Sequence, residues 1–463
     1  MVEAAADPRL FQWVERYGSP LNLVSPVPFR ESGQRLTSTA NGLGLPLEVY
    51  FARKANKCLC FVEACQELDL GVDTASEVEL RQTLSSGINP GKMVCTAAIK
   101  QPDLLGDCVR HGVTIVVDND DEAELLTEVA QAARTTAAIA IRVGGFSLRN
   151  VPWPSRFGFP LKQVENRVSR LLHRANGALR VEGLHFHLEG YGAYDRVDAL
   201  AQVLRLVDSL RGIECPIEHV DIGGGFPMSY LEFEAQWRVF WETHRAALAG
   251  GNEPHTFRGH GLGLVSGEGR LHGTPACYPF HQTQRLDNWL ASILNADAGN
   301  GHTIASAIAQ RGLTLRCEPG RALLDGCGCT IAQVVHRKKV GEEWLIGLAM
   351  NGTQCRTGSE DFLVDPLLIP KPGERPGADE VNRGYLLGAY CTETDAILKR
   401  RLRFPLGVAP GDLLIFPNTA GYFMHFYECR SHQFPLARNL VWQGPAAEPK
   451  LDAIESAGSN EIR

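Results

Sequence analysis

From about residue 47 the chain repeats one unit, a short apolar run that reads as a strand followed by a longer stretch that reads as a helix. The runs are VYFAR, DLGVD, MVCTA, TIVVD, AAIAIRV, RVEGLHFHL, IEHVDIG and LTLRCEP. Strands alternating with helices predict parallel β/α units. Eight of them, ending near residue 317, predict a closed barrel with its reactive side chains at the C-terminal ends of the strands. Two of the intervening helices carry their own signals. Phe61, Ala64, Cys65 and Leu68 recur at helical spacing after Asn56, and Ser76 with Glu79 forms a capping box ahead of Leu80.

The rhythm fades beyond about residue 320, where Val, Ile, Phe, Tyr, Gly and Pro dominate, as suits an antiparallel β-domain. The expected division is residues 1–27 as a helix and strand packing with the β-domain, 28–317 as the barrel, 318–445 as the β-domain and 446–463 as a polar tail that frays. One stretch breaks the plan. Residues 226–312 separate the seventh and eighth strands by far more chain than a βα connection needs. This insert holds Trp237, Phe240, Trp241, His244, Phe257, His260, His272, Tyr278, His281 and Trp289, with the glycine-rich RGHGLGLVSGEGRLHG among them. It reads as a helical excursion with a surface loop, or more sharply as a lid or dimer element near the active face.

Composition narrows the partner. A net charge of −7 without a clustered Lys/Arg stripe leaves no basic footprint for nucleic acid or an anionic membrane, so a small molecule is the expected ligand. Charges interrupt MVEAAADPRLFQWVERYG where a signal peptide needs an unbroken apolar run, and no later segment approaches a membrane span. A cytoplasmic protein is expected. The 13 cysteines lie singly or as Cys58-x-Cys60 and Cys327-x-Cys329, without the paired spacing of a zinc site. No metal is expected, and most of the cysteines read as reduced, buried, small apolar residues.

The first run continues as VYFARKANK. Alternation places Tyr50, Ala52 and Lys54 on one face and Val49, Phe51 and Arg53 on the other. A lysine there reads first as a surface side chain; the alternative is a lysine held inside for chemistry. Four further stretches fall at strand ends or in the β-rich half: GLHFHLEG (183–190), HVDIGGGFP (219–227), RCEPGRALLDG (316–326) and GAYCTETD (388–395), the last followed by NTAGYFMHF (418–426). Singly, each is weak. His185 and His187 are either a metal pair or two buried, hydrogen-bonded histidines. The triple glycine at 223–225 is either a tight turn or a set of amides for a phosphate. Cys391 alone reads as a buried apolar residue.

In this order and at these spacings the stretches resemble the fold-type III pyridoxal 5'-phosphate (PLP) decarboxylases, the family of diaminopimelate, ornithine and arginine decarboxylases, from about residue 17 to 443. FARKANK resembles the family's lysine motif and GVDTASEVEL the segment that follows it. RFGF (156–159), GLHFH, DIGGGF, EPGR, C-x-x-x-D and the late GY fill the remaining places. The resemblance implies an α/β fold class: a PLP-binding (β/α)8 TIM-like barrel plus a C-terminal antiparallel β-domain, as in alanine racemase and ornithine decarboxylase. It implies decarboxylation of an amino acid or amino-acid-like substrate through a Schiff base, a carbanion and reprotonation, with Lys54 as the cofactor lysine. Glu318 would face the pyridine nitrogen and His187 would stack on the ring. The phosphate would lie on the amides of Gly223, Gly224, Gly225 and Gly320, with Arg321 adjacent and Tyr422 completing the cradle. Asp73 and Arg142 join the cofactor-binding set. Cys391 would return the proton, in the family from the neighbouring subunit, which implies a homodimer with shared sites. Alanine racemases resemble a different solution, an arginine at the ring nitrogen, so Glu318 favours decarboxylation. The alternatives are a racemase, epimerase or lyase on the same carbanion, and an inactive, decarboxylase-like regulatory protein.

Three departures bear on the cofactor and the substrate. The family reads H-x-G-S after the stacking histidine, whereas His187 is followed by Leu188, Glu189 and Gly190, without the serine. Two unit charges about 4 Å apart repel by about 4 kcal/mol at an effective dielectric near 20, so Glu189 must turn away from a phosphate or meet a cation. After the cysteine, Thr392 stands where the family carries an acid, and Glu393, one residue on, points to the opposite face of an extended segment. Arg356 follows Asn351 by five residues where the family's carboxylate-binding arginine follows by four. Arg356, Thr392, Glu393, Asp395 and Glu189 are therefore the candidate substrate-binding residues. A substrate larger or less cationic than the lysine or ornithine precursors is expected.

Overall fold

Each of the eight apolar runs forms a strand: β1 (Leu47–Ala52), β2 (Gly71–Thr74), β3 (Met93–Cys95), β4 (Thr114–Val117), β5 (Ala137–Gly144), β6 (Leu179–His185), β7 (His219–Asp221) and β8 (Thr314–Cys317). The computed structural model, which describes residues 6–299 and 301–457, pairs them in parallel in the order β6-β7-β8-β1-β2-β3-β4-β5, and β6 pairs with β5 to close the ring. The expected barrel is present. Its lumen is filled by side chains such as Tyr50, Val94, Val116 and Ala140, one from each of four strands. Two glycines make room. A Cβ at Gly71 would sit 2.4 Å from the Tyr50 ring, and one at Gly183 would sit 2.0 Å from Nε2 of His219. On the outside, Phe51 meets Phe29 of helix Val27–Asn41 and Phe61 of helix Leu59–Glu67 at 5.2 and 5.9 Å, so Tyr50 and Phe51 face opposite ways as alternation requires. Ser76 caps helix Glu77–Ser85 by accepting from Glu79 N at 3.2 Å, while the Glu79 carboxylate accepts from Ala75 N at 2.7 Å.

The chain divides into two units, the barrel (29–227 and 284–323) and a second unit made of the chain up to residue 28, residues 228–283 and the chain from 324 onward. The second unit is organised by the long strand Gly328–Val340. It pairs antiparallel with Leu21–Val24, Glu343–Leu348 and Leu413–Pro417. Two further pairings are parallel, Leu21–Val24 with Arg438–Val441 and Glu343–Leu348 with Arg383–Leu387, so the sheet is antiparallel in its frame and not throughout. Trp13, Leu21, Leu23, Ile331, Ile415 and Leu440 form its core.

The insert is split between the units, where the sequence places it wholly in the barrel domain. Residues 228–283 carry helix Glu234–Leu248 and the hairpin Leu264–Gly267/Arg270–Gly273, and belong to the second unit. Several of their aromatics pack into that unit: Tyr230 lies 5.0 Å from Phe280, and Phe362, which also packs on Phe280, lies 4.6 Å from Phe423. Residues 284–312, with helix Leu286–Leu294, belong to the barrel. The polar tail also departs from expectation. Lys450–Leu451 pairs with Leu440 and Val441, and Glu455 accepts from Asn439 N and Nδ2 at 2.9 and 2.8 Å. Residues 458–463 lie outside the described residues. Among the described residues no helix is long and apolar enough to cross a membrane.

Candidate active site

β8, β1 and β2 are neighbours in the ring, so the residues at their C-terminal ends share one rim. β1 stops at Ala52, and Lys54 lies in the 3-10 turn Arg53–Ala55. Its Nζ donates to Asp73 Oδ2 at 3.0 Å, and Thr96 Oγ1 donates to Asp73 Oδ1 at 2.5 Å. The Lys54 side chain is 38% exposed against 1% for Asp73, so a partly solvated lysine is tethered at the rim to a buried carboxylate. Burial pushes the Asp73 carboxyl up, Lys54 pulls it down, and Glu318 pushes it up further.

Glu318 follows β8 directly and is buried. Its Oε1 stands 3.3 Å from His185 Nε2 without hydrogen-bond geometry, and that oxygen and both His185 ring nitrogens are buried atoms with no hydrogen-bond partner. Burial raises the Glu318 carboxyl, against Lys54 and Arg142, and burial followed by Arg142 holds His185 well below its ordinary value. Asp221 joins them, with ligand atoms of all three residues within 4.8 Å of one another. Burial raises its carboxyl well above the carboxylate range, and its Oδ1 accepts from Gly223 N at 2.8 Å. Three buried groups so shifted form a proton-sharing cluster more readily than an anionic metal cage. Glu318 Oε1 is an acceptor awaiting a donor, which a protonated pyridine nitrogen provides.

The H-x-H pair is not two equivalent histidines on one strand face. β6 ends at His185, and His187 lies beyond it in an exposed position, its Nδ1 accepting from Gly224 N at 3.1 Å, which leaves the proton on Nε2. Solvent reaches the His187 ring, yet protein crowds it and cations surround it. Burial, then Lys54, His185 and Arg196, push its basicity down to about 3. The ring is therefore neutral at physiological pH.

Gly223 and Gly225 adopt φ of +63° and +81°, which favours glycine. A Cβ would lie 2.6 Å from Phe186 O at Gly223, 2.9 Å from Glu318 O at Gly224 and 2.1 Å from Arg196 Nη2 at Gly225. The loop is bound to β8 by Glu318 N donating to Gly223 O at 2.9 Å. Not all four expected amides are available to an anion. Gly223 N is taken by Asp221, Gly224 N by His187 and Gly320 N by Glu318 O at 2.7 Å, so of the four only the amide of Gly225 has no partner among the described residues. Arg321 follows in the short helix Gly320–Leu323. The Arg142 guanidinium lies 3.6 Å from Asp118 and 4.1 Å over the Phe157 ring, which also carries Arg156 at 4.1 Å. Glu189 is exposed, and no cation pairs with it among the described residues.

The remaining candidates belong to the second unit. Cys391, Thr392 and Glu393 are exposed on a loop, so Cys391 is not the buried thiol its sequence context alone suggests; ten of the thirteen free cysteines are buried. Glu393 is ion-paired to Arg258 of the insert. Asp395 anchors the loop, with Oδ1 accepting from Gly352 N at 2.8 Å and Oδ2 from Tyr390 N at 2.9 Å. These residues line a cleft of about 840 Å³ with Phe257, Arg258 and Tyr385. Arg356 is exposed and has no carboxylate partner among the described residues. Tyr422 has φ of +72° and packs its ring on Phe426 at 5.4 Å. Thr96, Asp221 and Arg196 were not legible as site residues, although Asp221-x-Gly223 carries the sequence signature of an aspartate capping its own turn.

Residues 31–255 match the family model of the pyridoxal-binding domain of pyridoxal-dependent decarboxylases. The chain is 32% identical over 449 residues to the uncharacterized protein y4yA of Sinorhizobium fredii, covering 96% of this chain and 92% of that protein. It is 25% identical over 465 residues to the diaminopimelate decarboxylase of Pseudomonas aeruginosa, covering 97% and 91%. The diaminopimelate decarboxylase of Helicobacter pylori, solved in complex with L-lysine, shares the fold with a TM-score of 0.68 at 18% identity over 97% of this chain and 98% of that one. The chain belongs to the fold-type III PLP-dependent decarboxylase family. The cofactor of that family is PLP, and the rim built around Lys54 and Glu318 has the chemistry to hold it.

Proposed function

We propose that the protein is a PLP-dependent carboxy-lyase acting on an amino acid or amino-acid-like substrate. The observation that carries this reading is the buried Glu318, whose unpartnered oxygen suits a protonated ring nitrogen. When bound, PLP supplies the electron sink for the pair left on Cα as carbon dioxide departs. Lys54 binds the cofactor covalently through Nζ, and Asp73 holds that amine at the rim. Glu318 would keep the proton on the ring nitrogen, neutral His187 would cover the ring, and the Gly225 amide with Arg321 and Arg142 would receive the phosphate. Cys391 returns a proton from Sγ to Cα. By family resemblance it does so across a homodimer, each protomer lending its loop to the other.

The substrate has no lone distal amine. In the 391–395 loop Thr392 is neutral, Glu393 is paired with Arg258, and both Asp395 oxygens accept backbone N–H groups, which leaves no unpaired carboxylate to receive one. Borohydride reduction, digestion and mass spectrometry should find a pyridoxyl group on the Lys54 peptide. Carbon dioxide release should then be weak for L-lysine, L-ornithine and meso-diaminopimelate and stronger for a bulkier or less cationic amino acid. An unmodified Lys54 in excess PLP would refute the reading, and rapid turnover of a plain diamino acid would refute the substrate class. Solvent deuterium at Cα with the carboxylate retained would instead reveal racemisation.

A further inference from the structure

A buried cation lies beneath the glycine loop, and the family motifs quoted above do not call for it. Arg196 sits in the first turns of α1 (Ala193–Gly212) and is fully buried. Its Nη2 donates to Leu188 O at 2.7 Å and to Gly224 O at 3.4 Å, while Nε and Nη1 are buried without a hydrogen-bond partner. Trp289, from α2 (Leu286–Leu294) in the insert, places its ring 5.5 Å from the guanidinium carbon and is itself held by Nε1 donating to Tyr191 O at 2.8 Å. No carboxylate pairs with Arg196 among the described residues; the adjacent Asp195 pairs with Arg149 at 3.0 Å. Burial pushes its guanidinium down to about 10. A buried charge without a counter-ion is costly unless an anion compensates it. The segment after His187 lacks the serine of H-x-G-S, and the glycine loop has one amide, that of Gly225, without a hydrogen-bond partner among the described residues; the lack of a side chain at Gly225 lets that loop lie on Nη2.

Resting on the cofactor reading above, we propose that Arg196 is the positioning residue of the phosphate subsite, holding the Leu188 and Gly224 carbonyls away from the anion and supplying a buried positive charge that helps to offset the phosphate where the family's serine is missing. Acting through the loop, it distinguishes a phosphorylated cofactor from its dephosphorylated form. The test titrates cofactor-free protein with PLP and with pyridoxal, following the absorbance of the Lys54 adduct. Arg196→Gln should weaken PLP by about tenfold or more and leave pyridoxal unchanged. Arg196→Lys, which keeps the charge, should recover part of the loss. Equal loss of both ligands would reduce Arg196 to a structural role, and no loss would remove the proposal. A second measurement needs no variant: hydrogen exchange of wild-type protein should show residues 188–196 and 223–226 protected by PLP and by inorganic phosphate but not by pyridoxal. Protection by pyridoxal alone would overturn the inference. If wild-type Lys54 forms no adduct, the cofactor reading fails, while protection of these segments by inorganic phosphate still decides whether Arg196 serves an anion.

Discussion

Arg53 and Lys54 are sequence neighbours with opposite fates. Arg53 is buried on the outside of the barrel and donates to Lys57 O at 2.6 Å, while Lys54 reaches Asp73 on the rim. Alternation along VYFARKANK was enough to separate them, although the strand itself ends two residues earlier. For the H-x-H pair alternation is no guide, because the period-2 argument lapses where β6 stops, between His185 and His187. At this scale Glu318→Gln should still form the Lys54 adduct but slow carbon dioxide release by about 100-fold or more, since a neutral amide no longer holds the ring proton. His185 gives a stability prediction. Its folded basicity is depressed, so below about pH 6.5 the unfolded chain binds a proton the folded chain refuses, and stability falls with pH by up to about 1.4 kcal/mol per unit. The raised carboxyls of Glu318 and Asp73 act the other way, favouring the fold as pH drops toward the ordinary carboxylate range. His185→Gln should therefore remove about one proton's worth of slope between pH 5 and 6.5 in unfolding curves of the cofactor-free protein.

The eight strands were legible because each is a short apolar run bounded by turn residues, and barrel strands are buried on both faces. Glycines within them have individual reasons. Gly183→Ala should cost about 1–3 kcal/mol by overpacking, read as a lowered midpoint in urea, because the new methyl meets the His219 ring. The insert was less legible. Its aromatics announced a need for burial but not a partner, and the partners of Tyr230 and Phe280 include Phe362 and Phe423, far along the chain. Arg196 was invisible for a related reason. In sequence it is one more arginine on a helix, and its partners Leu188, Gly224 and Trp289 are brought to it only by the fold.

For the molecule as a whole, the proposed shared sites predict complementation. Mixing Lys54→Ala and Cys391→Ala protomers should restore about a quarter of wild-type activity, because half the dimers are hybrids and each hybrid has one intact site. No recovery, with hybrids demonstrated by differential tagging, would place Cys391 in its own protomer's site, and full activity of Cys391→Ala alone would place it outside catalysis. The division of the chain also bears on its synthesis. Neither unit is a continuous stretch: Leu21 pairs with Ile331, and Leu47 of β1 pairs with Leu315 of β8. At a ribosomal rate of about 5–20 residues per second, these N-terminal strands wait roughly 15–60 s for their partners to emerge. The insert lengthens that wait, since it lies between β7 and β8 and the ring cannot close until it has been made. A nascent chain arrested before residue 314 would therefore expose two unpaired sheet edges at once, and chaperone engagement of this protein should be concentrated in the period when the insert is being translated.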